Sequence, residues 1–156
     1  FVQDPAPQPS AAVESLARAV GNRTALVVGD STVQQLFIAL TCEAEASGAE
    51  QAKGDSPVLD RLHAKEPTGE VWKMPTTIRG AGFFYADDRK FDANRFARML
   101  ALADVAFVQF GLHYHDEEEY ERDMRKALGA LEDFARRGGT PVWLETQAQH
   151  FQGNLG

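Results

Sequence analysis

The first residue whose surroundings suit chemistry is a serine in Val27-Val28-Gly29-Asp30-Ser31-Thr32. The β-prone run Thr24 to Val28 ends at Gly29, and from Val33 to Ala46 the apolar residues Val33, Leu36, Phe37 and Leu40 return at helical spacing. Ser31 therefore falls on a strand-to-helix turn. A hydroxyl there projects from the sheet edge, and the unpaired N–H groups of the helix start can stabilise a developing oxyanion. The same turn also suits a helix cap or a phosphate held at the helix N-terminus, and the residues alone do not choose. The Gly-x-Ser-x-Gly elbow of the α/β-hydrolases is absent.

A nucleophilic serine needs a base, and neutral imidazole is the usual one. His150 follows the last apolar run, while His113 and His115 alternate on an extended stretch beside Asp116. That pair has the outline of a divalent-metal site, but a solvated loop ahead of an acidic helix explains it more simply, so neither a metal nor a cofactor is expected. Asp116-Glu117-Glu118-Glu119 then reads as the first turn of that helix. Arg79 reads as a surface residue of a turn, and Trp72 and Trp143, both in strand-like runs, read as core.

The elements that must position these residues follow from periodicity. A proline-rich lead-in and a short helix from Ala11 to Val20, capped by Ser10, occupy residues 1–23. After the strand and helix around Ser31 comes a polar excursion, Gly48 to Thr68, with a short helix near Val58 to Ala64. Strand candidates Val71 to Met74 and Gly82 to Tyr85 flank a turn at Arg79 to Gly82, and Asp92 opens a helix to about Leu102. The strand Val105 to Phe110, a long charged helix from about Asp116 to Arg137, and the strand Thr140 to Glu145 complete the order. Alternating strands and helices predict an α/β domain over residues 24–156, a three-layer αβα sandwich with a mainly parallel sheet. Ligands of such sheets sit beyond the carboxyl ends of the strands, which places Ser31, Gly111 to His115 and Thr146 to His150 on one rim.

Bulk properties narrow the partners. The 156 residues carry a net charge of −7, from 23 acidic and 16 basic side chains, which argues against nucleic acid or an anionic membrane surface as partner. The apolar runs fall far short of the roughly 20 residues a membrane-spanning helix needs. Asn22-Arg23-Thr24 has the form of an N-glycosylation acceptor, which points to the secretory route, the Golgi lumen or the exterior. In that setting Cys42, the single cysteine, would be a buried free thiol or half of a bridge to another segment.

Three ordered blocks carry a resemblance. Val27 to Leu36, ending in Leu40-Thr41-Cys42, resembles the first block of the SGNH/GDSL hydrolase superfamily, closest to its PC-esterase and trichome-birefringence-like O-acetyltransferase branch. Phe107-Val108-Gln109-Phe110-Gly111-Leu112-His113-Tyr114 is similar to that branch's strand ending in Asn-x-Gly-x-His/Trp-Tyr/Trp, and Glu145-Thr146-Gln147-Ala148-Gln149-His150-Phe151 to its Thr-x-Ser-Pro-x-His-Phe segment.

The resemblance implies an SGNH or flavodoxin-like fold and a serine esterase or O-acyltransferase acting on acyl, chiefly acetyl, esters of carbohydrates. Ser31 would form the acyl-enzyme, and Gly29, Asp30, Gly80, Gln109, Gly111 and His113 would supply oxyanion and substrate contacts. Gln109 stands where the branch has asparagine, and Gln147-Ala148 replaces Ser-Pro. The branch's Asp-x-x-His lies well after the His-Phe block, whereas this sequence stops at Gly156, so the domain is expected to be incomplete at its C-terminus, with His150, and after it His113 or His115, as the bases the sequence offers. The alternative expectation is a catalytically silent domain of the same fold, serving glycan binding or a larger assembly.

Overall fold

The computed structural model describes residues 11–46, 48, 57–65, 73–88, 90–111 and 113–145. Its elements are α1 (Ala11–Val20), β1 (Thr24–Gly29), α2 (Ser31–Ala46), α3 (Pro57–Lys65), β2 (Lys73–Ile78), β3 (Ala81–Asp87), α4 (Ala93–Leu102), β4 (Val105–Val108), α5 (Glu117–Arg136) and β5 (Thr140–Trp143).

Every residue of β1 is buried, which is why its sequence runs apolar without alternation from Ala25 to Val28. It lies at the centre of a five-stranded sheet of order β2-β3-β1-β4-β5. β3 and β4 flank β1 in parallel, β5 extends β4 in parallel, and only β2, on β3, is antiparallel. The chain is thus an α/β fold with a mixed, mostly parallel sheet flanked by helices. Both edge strands carry a proline, Pro75 in β2 and Pro141 in β5, and β2 also breaks register between Lys73 and Thr76. A proline cannot donate to a ladder, so it is tolerated at an edge and hinders further strand pairing there.

Alternate residues of the strands feed two cores. Leu26 and Val28 of β1, Phe84 and Ala86 of β3, and Ala106 and Val108 of β4 pack with α4, α5 and Leu62 of α3. Ala25, Val27, Phe83, Tyr85 and Val105 pack with α1 and α2 on the other face. The chain therefore leaves β1 to one face of the sheet and leaves β3 and β4 to the opposite face, which opens a crevice at the carboxyl end of β1.

Several details differ from the periodicity reading. The hairpin between β2 and β3 is tighter than a four-residue turn: only Arg79 (φ 51°) and Gly80 (φ 84°) connect Ile78 to its partner Ala81. Two consecutive positive φ angles match the twist of a two-residue hairpin. Leu36, assigned to the apolar face of its helix, is 57% exposed, because α2 buries Val33, Phe37 and Ala44 and leaves Leu36 over an uncovered strip of β4 and β5. With Phe107 and Leu144 it borders a wholly apolar cleft of about 230 Å³. Cys42 is exposed rather than buried. Trp143 is 36% exposed rather than core, since β5 is an edge strand and α5 covers it only in part. Trp72 and the expected cap Ser10 lie outside the described residues.

Candidate functional site

The turn after β1 is built by its own backbone. Asp30, only 2% exposed, caps α2: its Oδ1 accepts from Thr32 N at 2.8 Å and its carbonyl oxygen accepts from Gln34 N at 3.0 Å. Ser31 is the first residue of α2 and is exposed. Among the described residues nothing forms a hydrogen bond with its N–H or its hydroxyl. The cap is thus made by Asp30, and Ser31 is left with a free hydroxyl at the positive end of a helix.

Gly29 is required by close approach. A Cβ on it would lie 2.7 Å from Val33 Cγ2 and 2.8 Å from the carbonyl oxygen of Gln109, so any side chain would push α2 and the end of β4 away from β1. From the other side, the fully buried Tyr85 donates its hydroxyl to the carbonyl oxygens of Gly29 (3.1 Å) and Asp30 (3.2 Å). The turn carrying Ser31 is pinned by β3 beneath it.

The neighbouring strand ends complete the rim. Gln109, 9% exposed, extends the β1–β4 ladder by donating its N–H to Val28 O at 3.0 Å. Gly111 O accepts from Tyr114 N at 3.1 Å, closing a turn that brings His113 beside it. Parallel pairing of β1 with β4 therefore gathers Gly29, Asp30, Ser31, Gln109, Gly111 and His113 at one edge. Gly80 is not among them: it sits in the hairpin before β3, at the amino edge, where Thr24 pairs with Gly82. A parallel strand carries its preceding turn to the far side of the sheet. Arg79 beside it is held in a salt bridge to Glu14 at 3.0 Å. His150 and the rest of 146–156 lie outside the described residues.

On the other flank of β1 is a residue that the sequence reading passed over. Asp88 directly follows β3, and its N–H donates to Gly29 O at 3.0 Å. Its side chain is buried, with Arg95 Nη1 3.9 Å from Oδ1, while Oδ2 has no hydrogen-bond partner among the described residues. Burial outweighs the attraction of Arg95 and raises the carboxyl to about 7. In Asp87-Asp88-Arg89-Lys90 it resembles a solvated charge run; the available signal was its place directly after an apolar strand, as for Ser31.

The loops after β3 and β4 are joined. Tyr114 Oη accepts from Phe91 N at 2.9 Å and donates to Asp123 Oδ2 at 3.3 Å, and Lys90 bridges to Glu119 at 2.9 Å. Burial lifts the Tyr114 hydroxyl to about 12. Asp116 caps α5 by accepting from Glu119 N at 2.7 Å, and His115 is exposed. Among the described residues no three metal-ligating side chains cluster.

Comparison with protein-family models, with curated proteins and with solved structures gives no match to this chain.

Proposed function

We propose that the chain is a serine esterase or O-acyltransferase domain of the SGNH type, a three-layer αβα sandwich, acting on acyl esters of carbohydrates. The observation that carries this reading is the placement of Ser31: exposed, relieved of capping by Asp30, and at the crevice where the chain departs from β1 and its two neighbours to opposite faces. In the reaction Ser31 Oγ attacks the acyl carbonyl and gives its proton to a base, and the sugar alcohol leaves with a proton. Water or a second hydroxyl then takes the acyl group from Ser31. N–H groups at the start of α2 are suited to hold the oxyanion. A secretory setting belongs to the same reading, and Asn22 of the acceptor triplet is exposed in the turn after α1.

The test is to expose the whole chain to p-nitrophenyl acetate and map the acetyl group by peptide mass spectrometry. Acetylation of Ser31, lost in Ser31→Ala, is expected; acetyl found only on lysines or the N-terminus overturns the reading. A second reading, the silent domain, is favoured by one observation: among the described residues neither an imidazole nor a carboxylate forms a hydrogen bond with Ser31. It predicts glycan affinity without Ser31 acetylation.

A further inference from the structure

Alternation along the edge strand β5 turns Val142 toward α1 and α2 and Trp143 toward α5. There Trp143 and Leu128, 36% and 49% exposed, form an open groove of about 360 Å³ with Tyr120, Met124, Glu121 and Arg125. Tyr120 and Met124 are set deeper, and Glu121 and Arg125, both exposed, pair with each other at 2.6 Å on the helix side. The groove begins at the edge of the sheet that carries Ser31. Trp143 pairs with Val108, and Val108 pairs with Val28 on its other side, so the indole stands level with the end of β1. Two strand spacings, about 10 Å, separate them. At the other wall the Tyr120 ring packs on that of Tyr114, 5.4 Å between centroids, in the loop closed by Gly111 O.

We propose that this groove binds the carbohydrate chain whose acyl ester is presented to Ser31, with Trp143 as the platform for a neutral sugar ring. The C–H bonds on one face of a pyranose form an apolar patch that covers an indole, while its hydroxyls reach outward to donors and acceptors, here Arg125 and Glu121. Charge agrees with a neutral occupant. The acid and the base beside the groove neutralise each other, in a chain whose net charge is −7. A second copy of the chain is the poorer match: a stable protein interface takes about 20–30 residues a side, and this groove offers six. At about 10 Å from β1 the platform holds a ring further along the chain, not the ring that bears the ester. The identity of the ligand rests on the esterase reading.

The test titrates the whole chain carrying Trp72→Phe, in which Trp143 is the sole indole, with cellohexaose, xylohexaose and mannohexaose and reads its fluorescence. A saturable change with at least one of the three is expected, and no change with any of them overturns the groove. Saturation-transfer NMR then compares the parent chain with Trp143→Ala and Trp143→Phe. The alanine variant is expected to bind about tenfold more weakly, the loss typical of a truncated aromatic anchor, and the phenylalanine variant, which keeps a ring, to stay within about threefold. Equal binding in all three overturns the platform. If Trp143→Ala does not fold, Leu128→Asp, at an exposed position of α5, carries the same comparison. A concentration-dependent dimer that Trp143→Ala abolishes and the sugars leave intact would assign the groove to a second copy and overturn the proposal. The titration needs no turnover, so a chain whose Ser31 is not acetylated loses the esterase reading and keeps the groove, and a chain that is acetylated but binds no sugar loses the groove alone.

Discussion

The N–H of Asp88 donates to the carbonyl oxygen of Gly29 at 3.0 Å, one step beyond the last β1–β3 pair, Gly29 with Asp87. This bond joins the loop that carries the buried carboxyl and the turn that carries Ser31 into one hydrogen-bonded unit.

Gly29→Ala should disturb that unit directly. Its Cβ meets a side chain and, less forgivingly, the backbone oxygen of Gln109, and overpacking of this kind costs about 1–3 kcal/mol. A urea melt is expected to lose that much stability, and Ser31 acetylation should fall with it. Gly80→Ala is the contrast: its positive φ also penalises a side chain, by about 1 kcal/mol, but at the opposite edge. Its acetylation of Ser31 should match the parent chain; a loss equal to that of Gly29→Ala would contradict the edge assignment.

Tyr85→Phe separates positioning from stability. The Gly29 oxygen keeps the Asp88 N–H and the Asp30 oxygen keeps the Gln34 N–H, so neither is orphaned. Stability should drop by only about 1 kcal/mol. The rate of Ser31 acetylation should fall several-fold, because the turn loses its anchor from β3; a variant with unchanged acetylation would show that the anchor is dispensable.

Asp88 makes stability depend on pH. In the unfolded chain its carboxyl loses its proton near 3.9, whereas the folded chain holds it to about 7. Between those values the folded state binds more protons, so this group's effect on stability worsens as pH rises through the window and levels off above it. Asp88→Asn does not titrate. The stability of the variant minus that of the parent should therefore rise from pH 4.5 to pH 8, by on the order of 2–4 kcal/mol. Melts across that range check it, and a flat difference would remove the raised carboxyl.

Tyr114→Phe should loosen the joint between the two loops. It strands the Phe91 N–H and removes a donor from the buried Asp123, at a cost of about 1–3 kcal/mol. Hydrogen exchange at Phe91 should quicken more than exchange in β1; equal protection in both variant and parent would show that the bond contributes little.

Local periodicity decided much of this protein. The β-prone run Thr24 to Val28, apolar from Ala25 on, could satisfy its backbone and bury both faces only as a central strand, and the caps Asp92 and Asp116 mark their helices because a carboxylate accepts the free N–H groups of a first turn. The place of Ser31 at a strand-to-helix turn is a property of neighbours in sequence. What lay beyond sequence was set by pairing across the sheet. Parallel register alone puts Gly29, Asp87 and Val108 at one edge and sends Gly80 to the other, and only the packing of α4 turns Asp88 from one acid in a charged run into a buried carboxyl. The exposure of Leu36 and Trp143 likewise depends on which strips of the sheet the helices cover, a long-range fact that hydropathy, a sum over adjacent residues, does not contain.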